Sequence, residues 1–398
     1  MVLVRRLRLL LLALYLLPIM LSPGAVGLTQ TGEPVSLPQF GDYVQQCGTG
    51  VRPRGPDFAA TGLLLTTFSR DAMWVVDLVR DTRYPLPETV PCGPNCRPAP
   101  DRSVLLYVSP ETATYWTMRP DGTARQQVMP YYFSELDWWD STHWLAWPTA
   151  GLPALYPIGA AWTDQEPTRL ADFDVFSIQP GGYHGLRLSP GPEEWPLLEL
   201  VNLQDGQAQF LTEVQPYWGG VYWSPDGRRL AFIGPGAFDE GVEVAGSELY
   251  VIEPGVSTTA QRLTDLSSQY GAVRIAGRQA KHAVTWSPDG RYLAFWVLEI
   301  IGLDKAANVG QAVLHVLDTQ TGQTTVYCGF GLNQGDPVLP EPVWSPDGQY
   351  IAFGADVPGD TRPAIMFVLD TLTGDFTEVT TGMYAAYGTY DPVMWGLP

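Results

Sequence analysis

Few side chains in this sequence are of the kinds that bind a catalytic metal or activate a nucleophile. The histidines are far apart in the chain, and there are four of them: His143, His184, His282 and His315. The sequence has no Gly-x-Ser-x-Gly elbow, no His-Glu-x-x-His motif and no phosphate-binding loop that ends in Lys-Ser or Lys-Thr. We therefore predict packing or surface roles for the histidines, and no cofactor.

The cysteines suit an oxidising compartment, in which disulfides persist. There are four: Cys47, Cys92, Cys96 and Cys328. Cys92 and Cys96 could close a small loop, which would leave the other two as a pair, but three pairings are possible and the sequence does not choose between them. A C-x3-C pair without a nearby histidine is a weak zinc motif, so we favour disulfides or free thiols over a metal.

One sequence motif, called the repeated phrase below, occurs three times and defines the repeat of the chain. Its copies run from Trp223 to Phe232, from Trp286 to Phe295 and from Trp344 to Phe353. They recur at intervals of about 60 residues, which indicates a repeat architecture. Each copy reads as a strand, a Ser-Pro-Asp-Gly turn and a second strand. The structural residues of these copies are Trp223, Asp226, Gly227, Trp286, Asp289, Gly290, Trp344, Asp347 and Gly348.

The repeated aspartates could form a set of carboxylates, but hydrogen bonds from each side chain to the backbone of its own turn explain them better. The tryptophans offer large apolar surfaces for packing between repeats. A third and a fourth strand follow the phrase, for example from Val313 to Leu317 and from Thr324 to Tyr327. Four antiparallel strands per repeat are typical of one blade of a β-propeller.

The phrase resembles the WD40-like repeats of TolB-type β-propellers, which also occur in the propellers of prolyl-oligopeptidase-like enzymes. The resemblance implies an all-β propeller that serves as a binding scaffold, and it carries over no catalytic residue. The chain has no room for the separate hydrolase domain of the peptidases. Some similar propellers are lyases that hold a metal with histidines in the channel, so a metal-dependent lyase or hydrolase is the alternative function.

Weaker copies of the phrase extend the repeat over residues 58–398. One begins at Glu135 and continues through Trp144, and another starts at Asp391 and stops after its first strand. Pairing this last strand with the N-terminal blade would close the ring and remove an exposed sheet edge. We predict about seven four-stranded blades, with six as the alternative, and a linker or arm over residues 28–57.

The ends and the charge of the chain bound its location and partners. Arginines at positions 5, 6 and 8, an apolar run from Leu9 to Leu21 and the small-residue site Ala25-Val-Gly27 predict a signal peptide over residues 1–27. The protein is then secreted or extracytoplasmic (in the periplasm or cell envelope), and it contacts the membrane only if this segment stays uncleaved. A net charge of −19 argues against binding to nucleic acid.

One face of the predicted propeller carries long connections, over residues 234–247, 265–281, 298–311, 329–341 and 354–363, whereas the Ser-Pro-Asp-Gly turns lie on the other. Aromatic residues gather on this long-loop face with a few charged partners, which suits contact with a peptide or a glycan. The predicted ligand-binding residues are Tyr131, Tyr132, Tyr217, Trp218, Tyr270, Lys281, His282, Glu341, Tyr387, Tyr390 and Asp391. We expect a non-enzymatic scaffold that binds a protein, a peptide or a glycan there; packing of the long loops is the other reading of these residues.

Overall fold

Antiparallel strands follow one another in groups of four along almost the whole of the chain. The computed structural model describes residues 42–66, 72–89, 96–109, 111–112, 114–129, 133–148, 152–159, 166–171, 175–190, 196–214, 216, 220–236, 246–271, 273–277, 283–300, 309–332, 339–355, 365–380 and 392–397. Over these residues the strands form a seven-bladed β-propeller, as predicted.

The first half of the chain supplies an arm, most of blade 1 and blades 2 to 4. The arm contains β1 Tyr43–Gln45 and β2 Val51–Pro53. Blade 1 receives β3 Leu63–Thr66, β4 Met73–Asp77 and β5 Thr82–Leu86. Blade 2 comprises β6 Arg97–Pro98, β7 Leu105–Val108, β8 Tyr115–Met118 and β9 Gln126–Met129. Blade 3 comprises β10 Phe133–Trp138, β11 His143–Pro148, β12 Ala154–Pro157 and β13 Thr168–Arg169. Blade 4 comprises β14 Ser177–Ile178, β15 His184–Pro190, β16 Pro196–Asn202 and β17 Ala208–Thr212.

The second half supplies the three blades with the repeated phrase and the strand that closes the ring. Blade 5 comprises β18 Val221–Trp223, β19 Leu230–Pro235, β20 Ser247–Ile252 and β21 Gln261–Arg262. The short helix α1 Leu266–Tyr270 and strand β22 Val273–Ala276 come next. Blade 6 comprises β23 Val284–Trp286, β24 Tyr292–Ile300, β25 Val309–Asp318 and β26 Thr324–Leu332. Blade 7 comprises β27 Val343–Trp344, β28 Tyr350–Ala355, β29 Ile365–Asp370 and β30 Phe376–Glu378, and β31 Pro392–Gly396 follows.

The last strand of the chain completes the first blade. β31 pairs antiparallel with β3, so the order in blade 1 is β31-β3-β4-β5. Leu64 lies opposite Trp395 in this pair, and both side chains are fully buried. The predicted closure is therefore confirmed, and it covers an edge that two separate termini would otherwise leave open.

The described residues form seven apolar core clusters, each of which fills the space between two neighbouring blades. The cluster around Trp296 and Phe353 joins blades 6 and 7, for example, and the one around Leu64 and Val368 joins blades 7 and 1. The other five join the remaining neighbours in ring order. Sheets that pack face to face around an axis bury both of their surfaces, which explains the runs of apolar residues in the middle strands.

The repeated phrase links blades through its indole groups. Nε1 of Trp286 donates to the carbonyl of Tyr222 in the preceding blade at 2.9 Å, and Nε1 of Trp344 donates to the carbonyl of Thr285 at 3.3 Å. Nε1 of Trp223 donates to the hydroxyl of Ser177 in blade 4 at 3.1 Å. Each repeat thus fastens itself to the inner strand of its neighbour.

The aspartate in each repeated turn organises that turn. In blade 5, Oδ1 of Asp226 accepts hydrogen bonds from the hydroxyl of Ser224 at 2.5 Å and the amide of Arg228 at 3.1 Å. Burial alone would raise the pKa of Asp226, but these hydrogen bonds and the nearby arginines hold the pKa below its usual range. Gly227 follows with φ of 68°, a left-handed conformation that glycine adopts without strain.

The N-terminal arm lies against the outer edges of two blades. β1 pairs in parallel with β26 of blade 6, and β2 pairs in parallel with β30 of blade 7. Between them, Cys47 and Cys328 form a disulfide, one of the pairings that the sequence left open. Cys96 is also disulfide-bonded, and Cys92 lies outside the described residues.

Two parts of the predicted long loops are regular structure instead. β24 continues to Ile300, because Val297 and Leu298 are buried and stay in register with β25. The predicted loop 265–281 contains α1 and β22, and its helix starts where the buried Glu248 accepts hydrogen bonds from the amides of Leu266 and Ser267. No helix among the described residues is long and apolar enough to cross a membrane.

Candidate functional site

Most of the predicted binding residues fall outside the part of the chain that the structure describes. These are Tyr131, Tyr132, Tyr217, Trp218, Lys281, His282, Tyr387, Tyr390 and Asp391. Tyr270 and Glu341 are described, at the end of α1 and just before β27. The long-loop surface as a whole therefore stays a prediction from the sequence.

Tyr270 is engaged in packing contacts. Its hydroxyl lies 3.1 Å from Nε2 of His315, and its ring meets the ring of Tyr43 edge-on, with centroids 6.0 Å apart. Tyr43 belongs to the arm, and its hydroxyl accepts a hydrogen bond from the amide of Asp265 at 3.0 Å. Tyr270 thus joins the arm to blade 6.

His315 lies in the interior of blade 6. Its Nδ1 is 2.9 Å from the carbonyl of Val313, so Nδ1 carries the proton and Nε2 accepts the hydrogen bond from the hydroxyl of Tyr270. Burial lowers the pKa of His315 to about 4. A neutral imidazole with both nitrogens engaged is part of the packing of this blade.

The other described histidines also have local partners. His143, the first residue of β11, lies beside Asp140 and Thr142 of the preceding turn, and Nδ1 of His184 lies 3.0 Å from Oε1 of Gln179. Burial lowers the pKa of His184. Over the described ranges, no three His, Cys, Asp or Glu side chains converge in a way that could hold a metal ion.

A cavity of about 490 Å³ opens at the channel mouth on the side of the tight turns. The inner strands β6, β10 and β14 and the turns that follow them supply most of its wall. A proline of the blade 5 turn completes it. The lining residues that shape this channel-mouth cavity are Pro98, Pro100, Trp138, Trp147, Phe176 and Pro225. Its volume lies in the range of ordinary ligand pockets, about 300–1,000 Å³.

Polar groups hold the wall of the channel-mouth cavity in place. Arg97 forms an ion pair with Asp137, with 2.8 Å between Nη1 and Oδ2. Nη1 of Arg97 also donates to the carbonyl of Leu136 at 3.0 Å. Across the cavity, Nε2 of Gln179 donates to the carbonyl of Gly227 at 2.8 Å. These contacts tie blade 2 to blade 3 and blade 4 to blade 5, which makes the cavity preformed.

Trp138 separates this cavity from a second one of about 470 Å³ between blades 2 and 3. Its indole Nε1 donates to the carbonyl of Arg97 at 2.9 Å, and its ring packs on that of Trp144 with centroids 4.0 Å apart. Gln126 and Gln127 of the outer strand β9 line the second cavity. A fixed aromatic wall with amide groups behind it gives the region the composition of a binding surface.

Sequence reasoning missed the channel-mouth cavity because the turns of blades 2, 3 and 4 that border it depart from the repeated phrase. The blade 2 turn reads Ala99-Pro-Asp-Arg102, without the tryptophan, the serine or the glycine. The proline and the aspartate of this turn stand shortly before the strand β7, and they are the signal that could have identified it. Prolines of these tight turns, such as Pro100 and Pro225, contribute to the cavity that the long-loop prediction did not include.

Comparisons with known proteins extend the description of the fold. No protein-family model and no curated protein matches the sequence. TolB from Acinetobacter baumannii is 13% identical with a TM-score of 0.40, and the match covers 84% of this chain but 64% of that one. The propeller domain of the Trilobed protease from Pyrococcus furiosus is 12% identical with a TM-score of 0.44, over 87% of this chain and 99% of that one.

A manganese complex of oligogalacturonate lyase is 16% identical with a TM-score of 0.43, over 75% of this chain and 82% of that one. These similarities concern the propeller fold. One fold can serve many functions, so the propeller alone does not select one.

Proposed function

We propose that this protein is a non-enzymatic, extracytoplasmic binding scaffold that holds a peptide segment of a partner protein at its channel mouth. The observation that carries the proposal is the preformed channel-mouth cavity on the tight-turn side. Aromatic residues and prolines make up more than half of its lining residues, and Asp137, Ser177 and Gln179 add polar groups. Extended, proline-containing peptides bind surfaces of this composition.

The disulfide between Cys47 and Cys328 supports the extracytoplasmic part of the proposal. Such bonds persist in the periplasm and outside the cell, and they are rare in the cytosol. The signal peptide that the sequence predicts over residues 1–27 agrees with this location.

Two exposed phenylalanines of blade 4 allow a matched test of the cavity. Phe176 is 45% exposed and lines it, whereas Phe210 is 41% exposed on the outer strand β17 and does not. A phage-displayed random peptide library would be selected on the wild-type protein, and the enriched peptides would be titrated by fluorescence anisotropy against the variants Phe176→Ala and Phe210→Ala. A glycan array probed with the same three proteins would run in parallel.

We expect affinity to fall about tenfold or more in Phe176→Ala and to stay unchanged in Phe210→Ala. Peptides that bind both variants equally would contradict the cavity as the site. If glycans on the array bind and no peptide does, the proposed ligand becomes a saccharide in place of a peptide.

The long-loop face remains a proposed second contact surface on sequence grounds. Trp218→Ala and Tyr387→Ala would be titrated with the same peptides. A loss of affinity in these variants, with no loss in Phe176→Ala, would move the proposed site to the long-loop face.

A further inference from the structure

The turn Ala99–Arg102 of blade 2 is built like the turns of the repeated phrase. The amide of Arg102 donates to the carbonyl of Ala99 at 2.8 Å, as the amide of Gly227 donates to that of Ser224. Oδ1 of Asp101 accepts from the amide of Ser103 at 3.0 Å, as the aspartate does in the repeats. Arg102 therefore occupies the position that glycine holds in blades 5, 6 and 7.

This position requires a backbone conformation that arginine does not favour. Arg102 has φ of 58°, close to the 68°, 69° and 71° of Gly227, Gly290 and Gly348. A side chain in the left-handed region costs free energy that glycine does not. Strained residues of this kind cluster at functional sites, because the rest of the fold holds them there.

The side chain of Arg102 extends to blade 7. In the repeats, the glycine of one turn lies against the proline of the preceding blade: a Cβ atom on Gly290 would be 3.7 Å from Pro225, and one on Gly348 would be 3.9 Å from Pro288. Blade 1 has no such turn, because its first strand, β31, lies near the end of the chain and its second strand, β3, lies near the beginning. Arg102 passes this gap, and its Nη1 donates to the carbonyl of Trp344.

The guanidinium of Arg102 has no ion-pair partner in the part of the chain that the structure describes. Two arginines of the tight-turn side have one, since Arg97 pairs with Asp137 and Arg291 pairs with Asp318 at 2.6 Å, whereas Arg229 donates to the carbonyl of Gly290 in the next blade. A guanidinium has five N–H donors, and one hydrogen bond to a carbonyl leaves most of them available. Burial lowers the pKa of Arg102, which means that its charge is held where water solvates it poorly.

We propose that Arg102 is a carboxylate-recognition residue, which pairs with a carboxylate of the peptide held at the channel mouth. The inference rests on the proposed function and extends its site, since the turn that carries Arg102 supplies Pro100 to the channel-mouth cavity, whereas the guanidinium lies outside that lining, at the carbonyl of Trp344 in blade 7. A planar guanidinium pairs with a carboxylate through two parallel hydrogen bonds, and the partly buried setting strengthens the pair. The carboxylate comes either from a peptide C-terminus or from an aspartate or glutamate side chain.

One variant distinguishes a recognition role for Arg102 from a purely structural role as a link between blades 2 and 7. Arg102→Gly restores the residue that the repeats use and removes the backbone strain. If Arg102 serves recognition, the melting temperature of Arg102→Gly in the absence of peptide stays equal to or above that of the wild type. If Arg102 is only a structural link, the melting temperature falls.

The binding experiment uses three pools of fluorescent peptides that share one set of randomised cores without acidic residues. One pool ends in a free carboxylate, one is amidated, and one is amidated but carries a single glutamate. Fluorescence anisotropy would compare the wild type with Arg102→Gly, Arg102→Gln and Arg228→Gln. The last is a control of equal charge change, since Arg228 is exposed on the blade 5 turn.

We expect the wild type and Arg228→Gln to prefer one carboxylate-bearing pool over the amidated pool by about tenfold, and both Arg102 variants to lose this preference. Preference for the free-acid pool identifies a C-terminus, and preference for the glutamate pool identifies a side chain. Equal binding of all three pools to the wild type would overturn the role of Arg102 and leave the proposed function standing. No binding of any pool would overturn both.

Discussion

Acidification should destabilise this propeller through a single buried imidazole. His315 is 2% exposed, and both of its nitrogens are engaged by neutral groups, the carbonyl of Val313 and the hydroxyl of Tyr270. A proton on Nε2 would turn that nitrogen into a second donor that faces a hydroxyl, inside a packed blade. Burial accordingly lowers the pKa of His315 from 6.5 to about 4.

The sign and the size of the effect follow from these two values. Above pH 6.5 the folded and unfolded chains both keep the imidazole neutral, and its contribution to stability is fully present. Between pH 6.5 and 4 the unfolded chain binds a proton that the folded chain excludes, so the free energy of unfolding falls as the pH falls. One proton changes it by about 1.4 kcal/mol per pH unit, which amounts to about 3 kcal/mol at pH 4.

The assay is urea denaturation of the wild type, His315→Gln and His143→Gln at a series of pH values from 7 to 4. Carboxylates contribute equally to the wild type and His315→Gln, so the difference in slope between these two proteins isolates His315, and His143→Gln controls for the loss of a histidine that lies beside Asp140. The wild type and His143→Gln should lose stability more steeply with falling pH than His315→Gln, by about 1 kcal/mol per unit near pH 5. Parallel curves for the wild type and His315→Gln would refute the reasoning.

Three further changes test the contacts that hold the ring and the arm. Replacing Cys47 and Cys328 by serine should cost about 2–5 kcal/mol in urea denaturation, since the disulfide joins residues separated by 281 positions; an unchanged midpoint would contradict this. Trp286→Phe should cost about 1–2 kcal/mol with an unchanged denaturant slope, because phenylalanine cannot donate to the neighbouring blade; a neutral substitution would show that the indole bond contributes nothing. Glu248→Gln should cost about 2–3 kcal/mol and speed hydrogen exchange in α1, because its amide group would face backbone donors; unchanged exchange would refute the capping role.

The repeated phrase made the fold predictable because each part of it has a local cause. Proline, aspartate and glycine specify the turn within five residues, and the tryptophan before them marks the inner strand of a blade. The closure by β31 was predictable as well, since Asp391 begins a copy of the phrase that lacks its second strand. Local signals of this kind can be interpreted from the sequence without knowledge of the neighbouring blades.

The candidate site and the parts of the fold that do not follow the repeat depend on contacts between residues far apart in the sequence. They were therefore not predictable in this way. Nothing near Arg102 in the sequence indicates a partner in blade 7, because Trp344 lies more than half of the chain away. α1 forms where Glu248, on a different strand, accepts hydrogen bonds from its first amides. Tyr270 was assigned to ligand contact from its loop position, and its contact with the arm could be seen only in the fold.

The way in which the arm is held has a consequence for the order of events during synthesis. Residues 42–66 emerge from the ribosome first among those described, yet apart from the local pairing of β3 with β4 their strand partners lie in residues 324–332, 376–378 and 392–396. The beginning of the chain can complete its pairing only after almost all of the protein has been made, and contacts of such long range slow folding. A nascent chain therefore keeps its first described segment without these long-range strand partners until late in synthesis. The native disulfide, the arm and the closed ring are then completed together.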